Sequence, residues 1–199
     1  WEDGISLAEI RLVQTDAPLR ITSGEMGGLL IARDDILGDF VGSLDSFSET
    51  LIFEFNRIFS SGQGLNGYEQ LLSEHAVQDV SAALDQAGLT HLPNNGTFQV
   101  LVYDEQTGLT NTHDIVVRLN GLSDDTTLAD LAAQLDAING VSAVIDGENR
   151  LQIQTTGAGT QVGFANDSSG ALSALGLAGL FTGSSASDIG VAEAIREDS

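Results

Sequence analysis

Thr127-Leu128-Ala129-Asp130-Leu131-Ala132-Ala133-Gln134-Leu135-Asp136-Ala137-Ile138-Asn139-Gly140, then Val141-Ser142-Ala143-Val144-Ile145, Asp146-Gly147 and Leu151-Gln152-Ile153-Gln154, is the stretch that decides the fold class. Thr127 with Asp130 forms a capping-box pattern, in which each side chain satisfies a backbone N–H that the first helical turn leaves without a partner. Leu128, Leu131, Ala132, Leu135 and Ile138 then share one helical face, and Gly140 ends the helix. The period changes to two beyond it, and Asp146-Gly147 is a hairpin signal between two short strands. On this reading Gly147 carries the backbone requirement of the turn, and Asp146→Ala should matter little.

The same alternation appears upstream. Phe98, Val100 and Val102 alternate with Gln99, Leu101 and Tyr103, and Ile115 to Leu119 makes a partner strand across the loop 104–114. Downstream, Asp167 or Ser168 can cap a short helix whose first turn is Gly170-Ala171-Leu172, with Gly176 closing it. Leu175, Leu177, Leu180 and Phe181 follow as an apolar plug, and Thr182-Gly183-Ser184 turns the chain away. Strand, strand, helix, strand, strand, short helix is the order of a small α+β domain.

The first part of the chain has a different period. Thr22-Ser23-Gly24-Glu25 is a helix start, and a long helix is expected over about 24–59. Within it Leu30, Leu37, Leu44, Leu51 and Ile58 recur every seven residues as a helix-packing seam, widened by Phe40, Val41, Phe47, Ile52 and Phe55. Gly27-Gly28 permits a bend or a close approach near its start. Residues 60–67 break the helix, and a second helix is expected over about 68–87 from Leu71, Leu72, Ala76, Val80 and Leu84, closed by Gly88. Before the long helix, residues 1–22 read as one or two strands around Asp16-Ala17-Pro18. Leu92-Pro93-Asn94-Asn95-Gly96 marks the domain boundary. The expectation is therefore an α+β chain: a long helical segment with N-terminal strands in residues 1–92, and a small α+β domain of hairpins packed with a helix in residues 93–182.

Composition narrows the function. Twenty-nine acids against seven arginines and no lysine give a net charge of −22 at pH 7, a surface that repels phosphate backbones and anionic lipids. Neither nucleic acid nor a membrane is an expected partner. The absence of cysteine removes disulfides, thiol catalysis and thiolate zinc sites. No apolar run reaches the length of a bilayer span. Trp1-Glu2-Asp3 is neither a natural start nor a basic signal region, so the chain is expected to be a fragment cut from a longer protein.

Chemistry-bearing motifs are sparse. Gly62-Gln63-Gly64-Leu65-Asn66-Gly67 has the letters of a dinucleotide fingerprint but follows a helix where that motif needs a strand, so it reads as a helix-to-helix turn. His75, His91 and His113 have no zinc-ligand spacing and read as surface residues. No G-x-S-x-G elbow is present. The acid pairs Asp34-Asp35, Asp104-Glu105 and Asp124-Asp125 lack calcium-loop spacing. No catalytic, cofactor or metal residue is expected, and the seam is the one candidate functional feature.

Several of these stretches resemble a known family when taken together. Asp167-Ser168-Ser169, Ala174-Leu175-Gly176, Phe181-Thr182-Gly183 and Ala186-Ser187-Asp188-Ile189 look like the signature of the first hook-associated protein family, which joins hook to filament in the bacterial flagellum. Ile21-Thr22-Ser23-Gly24-Glu25-Met26-Gly27-Gly28-Leu29-Leu30 with Ala32-Arg33-Asp34 is similar to its helix start. Phe55-Asn56-Arg57-Ile58-Phe59-Ser60-Ser61-Gly62 resembles its helix end, with Phe59 where the family has histidine, and Asn95-Gly96-Thr97-Phe98 resembles the entry to its outer domain. Val191-Ala192 stands where the family has Val-Asn. The resemblance spans about 21–191 in the family's order.

It implies a structural subunit without catalysis or cofactor, exported to the extracellular flagellum. Its partners would be neighbouring copies of itself and other axial proteins, namely the hook protein and the next junction protein. The seam would belong to a rod-like, coiled-coil helical layer, residues 93–182 to an outward domain, and residues 183–199 to a segment returning toward the helices. The lack of cysteine suits export, and the acidic surface suits the external medium. Other readings are a filament cap or flagellin-like axial protein, an extracellular acidic module binding calcium or carbohydrate, and a hydrolase with two carboxylates distant in sequence.

Overall fold

The computed structural model describes residues 10–19, 21, 23–62 and 67–196. Ile5 and Leu7 of the expected N-terminal strands lie outside them. What is described there is a tight reversal, with Leu12 N–H donating to Ala17 O at 2.9 Å and Leu19 N–H to Ile10 O at 2.8 Å. Arg11 and Pro18 pair as a single antiparallel bridge.

The long helix forms as expected and runs without interruption from Gly24 to Ser61. It has three parts: α1 (Gly24–Ile31), a π-helical stretch over Ala32–Leu37, and α2 (Gly38–Ser61). The departure from α geometry falls just beyond Gly27-Gly28. Its i→i+5 bonds wind extra backbone into the turn, so the side chains of α1 are rotated relative to those of α2. Leu30 therefore does not continue the line drawn by Leu37, Leu44, Leu51 and Ile58.

The expected second helix is absent. Residues 68–92 contain a short strand, β1 (Gln70–Leu72), followed by turns. The N–H groups that a helix would direct at its own carbonyls go elsewhere: Ser73 to Leu151 O, Val77 to Asn149 O, Gln78 to Ala87 O and Leu84 to Thr126 O. Asp79 accepts from Ser81 N–H at 2.8 Å, a side-chain turn that competes with helix. Gly88 does adopt the left-handed conformation, φ +84°, but within a loop, where a Cβ would strike the Gln78 side chain.

The remaining elements are β2 (Gly96–Asp104), β3 (Leu109–Val117), α3 (Leu128–Asp136), β4 (Val141–Ile145), β5 (Leu151–Thr155), β6 (Thr160–Ala165), α4 (Ala171–Leu175), β7 (Phe181–Thr182), β8 (Gly190–Val191) and α5 (Glu193–Arg196). Among the described residues two three-stranded antiparallel sheets, ordered β1-β5-β4 and β3-β2-β6, are linked where Tyr68 pairs with Val162, and β7 pairs with β8 as a third, two-stranded sheet. Phe98, Val100 and Val102 of β2, Ile115 and Val117 of β3, and Leu128, Leu131 and Leu135 of α3 point into one core, as the alternation and the helical face predict. Val77, Leu84, Ala87 and Leu89 enter that same core. The 68–92 segment thus belongs to the sheet body, and the chain passes from helix to body between Gly62 and Gly67, not at Pro93.

The capping box closes as the sequence requires: Thr127 Oγ1 accepts from Asp130 N–H, and the Asp130 carboxylate accepts from Thr127 N–H. The hairpin after it corrects the two-residue turn. Ile145 pairs with Leu151, so the loop is Asp146–Arg150. Its left-handed residue is Asn149, φ 60°, while Gly147 needs no special φ. Asp146 organises the loop, one carboxylate oxygen accepting from Glu148 and Arg150 N–H, the other from the Arg150 guanidinium.

Candidate functional site

Helix α2 presents two faces with opposite character. Ser48, Ile52, Asn56 and Ser60 recur every four residues and are buried, and α2 packs on α4 and β7. Three of the four are polar, so this seat is held by directional bonds. Asn56 Nδ2 donates to Phe181 O at 2.8 Å, and Phe181 N–H donates to Asn56 Oδ1 at 2.9 Å, so the side-chain amide stands in for a neighbouring strand. The approach is close: a Cβ on Gly179 would lie 2.5 Å from Asn56 Nδ2. Three turns back, Asp45 Oδ1 accepts from Ala186 N–H at 3.0 Å. At the helix end Asp167 N–H donates to Ser60 O.

Asp167 is itself a buried hub. Its carboxylate accepts from the N–H groups of Ser169, Gly170 and Leu172 and from Ser169 Oγ at 2.7–3.1 Å, with Ser60 Oγ at 3.4 Å. These donors include the N-terminal backbone of α4, so Asp167 caps it across a left-handed Gly170, as the sequence pattern anticipates. A cavity of about 150 Å³ beside it is lined by Arg57, Ser61, Asn94, Asp167, Ser168 and Ser169. Arg57 is paired with Glu54 at 2.8 Å, and the three serine hydroxyls bond to Ile58 O, Thr97 O and Asp167. The arginine, aspartate and serine side chains there are spent on architecture.

The other face of α2 is apolar and largely uncovered, with Phe55 alone setting its ring edge-on to Phe181 at 5.6 Å among the described ring pairs. Leu37, Phe40, Phe47 and Ile58 are 58%, 64%, 64% and 65% exposed, Leu44 and Phe55 less so, and Leu30 and Leu51 are half-buried. The seam residues are thus not the ones that seat the helix. Phe40, Leu44, Phe47, Leu51, Phe55 and Ile58 follow at steps of three and four, which places them in one stripe along α2, and Leu37, the last residue of the π-helical stretch, precedes them. The exposed side chains of this stripe sum to on the order of 700 Å², more than the largest apolar patch of an ordinary soluble monomer. Glu54 and Arg57 sit at its end and neutralise each other. On a chain of charge −22 the stripe is both apolar and nearly uncharged.

A scan of the sequence against protein-family models and a search of curated proteins gave no match. Among the described residues no group of three His, Asp or Glu side chains is placed to hold a metal ion, and no helix is long and apolar enough to cross a membrane.

The histidines are the feature that spacing missed. His91 stacks flat on Phe53 of α2, with ring centroids 4.1 Å apart and planes 12° from parallel. Its Nε2 is sealed from solvent without a hydrogen-bond partner, 4.0 Å from Glu49 Oε1. His75 is half-buried nearby, its backbone fixed by Leu175 O and Ser73 Oγ. Both belong to the seat of the helix on the body, not to the open surface. Their alternate-residue neighbours in sequence carry no periodic signal that would have placed them there.

Proposed function

We propose that this chain is a structural subunit of the bacterial flagellum at the hook–filament junction, acting by packing and assembly and without turnover. The observation that carries the reading is the bare apolar stripe of α2: a long helix face of leucine and phenylalanine, held outward by polar clasps on its opposite side. An exposed apolar patch of this size marks an interaction surface. The resemblance of four stretches to the first hook-associated protein family supports the same conclusion, and those stretches have architectural roles here. Asn56 pairs with Phe181, Asp167 caps α4, and Asp188 accepts from Ser184 and Ser185 N–H to turn the chain. The stripe would contribute to a rod-like helical layer, covered by neighbouring copies and other axial proteins, with the sheet body turned outward into the medium.

Immunogold labelling of flagella on the source cells, with antibody raised against this chain, tests the reading. Label confined to the boundary of hook and filament is expected. Label absent from flagella overturns it, and label along the whole filament or at its tip transfers the chain to a flagellin-like or cap role. At the molecular level Leu44→Asp places a charge in the stripe. It should leave the melting temperature of the isolated chain within a few degrees, because Leu44 is 43% exposed, while abolishing incorporation into flagella.

A further inference from the structure

We propose that the stripe of α2 is a self-pairing surface: two copies of this chain lay their stripes together, antiparallel, about a two-fold axis that passes between the levels of Phe47 and Ser48. The pairing uses the face on which the assembly reading rests. It needs only that the face be bare, not that the chain belong to a flagellum.

The order of side chains along the stripe is the first support. From Phe40 it alternates aromatic and aliphatic as far as Ile58, with Leu37 just before it. Turned end for end between residues 47 and 48, the run falls on itself. Phe40 comes level with Phe55 of the other copy, Leu44 with Leu51 and Leu37 with Ile58, while the two Phe47 rings approach the axis. A two-fold contact uses the same patch twice and so requires a patch that reads alike in both directions. Size is the second support. The stripe is about 27 Å long at 1.5 Å per residue. Mutual cover of two such stripes removes on the order of 1,400 Å² from water, within the range of about 1,200–2,000 Å² that stable, specific pairs bury.

Charge sets the direction. Beside the stripe lie Ser43, Ser46 and Thr50, exposed and small, and the Ser43 and Thr50 hydroxyls donate back to the Asp39 and Ser46 carbonyls of the same helix. These residues leave room for a second helix, and those two hydroxyls are already paired. The charges nearest the face are Asp39 toward its start and Glu54 with Arg57 toward its end. A parallel pair sets Glu54 level with Glu54, a like-charge arrangement that costs affinity. The antiparallel pair sets Glu54 level with Val41 and Arg57 level with Gly38, beside Asp39. The body holds α2 between Asp45 and Ser60, so antiparallel copies also carry their bodies toward opposite ends of the pair. The chain's charge of −22 opposes any meeting of two copies, and salt screens that repulsion. Self-pairing therefore strengthens with salt, whereas a basic partner on this acidic chain would be released by it.

Sedimentation velocity of the purified whole chain, from about 1 µM to about 200 µM, tests the pairing by mass action. A species of twice the monomer mass is expected, with a dissociation constant at least threefold lower in about 1 M than in about 0.15 M NaCl. Phe47→Glu brings a charge from each copy to the axis and should weaken the pair at least a hundredfold. Leu109→Glu, at an equally exposed apolar position on β3, should leave it unchanged. Circular dichroism at the lowest concentration verifies that both variants are folded. Because the chain has no cysteine, oxidising an equimolar mixture of Phe40→Cys and Phe55→Cys chains reads the direction. The mixed disulfide should dominate, since like positions stand about 22 Å apart along the antiparallel pair, beyond the reach of a disulfide. A monomer at every concentration, which reserves the stripe for a different partner, overturns the proposal. So does pairing weakened by salt, pairing unaffected by Phe47→Glu or equally lost in Leu109→Glu, or disulfides that join like positions. A monomeric chain would leave the junction reading standing, and flagella without label would leave the pairing standing.

Discussion

Replacing Asn56 by alanine should be among the most damaging single changes on the long helix, although it removes no apolar surface. Asn56 is 3% exposed and makes both hydrogen bonds of its amide to one residue, Phe181, at 2.8 and 2.9 Å. Two part-buried bonds at about 1 kcal/mol each would give about 2 kcal/mol. The truncation also leaves the Phe181 N–H and C=O without partners beneath α2, and a buried polar group stranded this way costs about 1–3 kcal/mol. The expected loss is thus about 2–4 kcal/mol, or a fall in melting temperature of roughly 5–15 °C for a domain of this size. Urea unfolding followed by circular dichroism measures it, with the slope against denaturant checked for constancy. Gly179→Ala supplies the second arm. Its methyl would lie 2.5 Å from Asn56 Nδ2, so it should destabilise the wild-type chain clearly more than the Asn56→Ala chain. A loss under about 0.5 kcal/mol for Asn56→Ala, or additive effects of the two changes, would refute the idea that the amide clasp seats the helix.

Further outcomes follow from the same geometry. Asp167→Asn keeps the shape but turns an NH₂ toward donors that now point at a carboxylate, and should cost about 2–4 kcal/mol in urea unfolding, with loss of the α4 cap. Asp146→Ala should lower the melting temperature where a surface aspartate ordinarily would not, since Asp146 holds its five-residue loop. The Arg150 and Glu148 N–H groups and the Arg150 guanidinium keep its carboxyl below the usual carboxylate range. Its contribution is therefore present above about pH 4 and lost as pH falls further, so melting of wild type and Asp146→Ala should converge in strong acid.

What could be read from the sequence was whatever depends on neighbours along the chain. The β2 alternation, the Thr127–Asp130 box and the unbroken helix from Gly24 are local in this sense. Residues 68–92 were not legible because their weak helical period competes with partners far away: Leu151 for Ser73 and Thr126 for Leu84. The Asp146-Gly147 pair has the letters of a tight turn, yet the Ile145–Leu151 register lengthens the loop and transfers the left-handed position to Asn149. The seam was found as a pattern, but which side of α2 the body would cover was not. The covered side is mostly serine and asparagine, residues whose value there lies in backbone groups of the 167–186 segment. Spacing likewise gave no sign of His91 on Phe53, because their contact joins α2 to the far end of the 68–92 segment.

The polar seat of α2 has a consequence for orientation. Greasy contacts tolerate sliding and rolling, whereas the paired bonds of Asn56 to Phe181 and the bond of Asp45 to Ala186 fit only one rotation of the helix about its own axis. A slip of one residue would swing every side chain by about 100°. The body therefore acts as a jig: it indexes the azimuth of the leucine–phenylalanine ridge, so that each copy of the chain offers that ridge at the same bearing relative to its sheets.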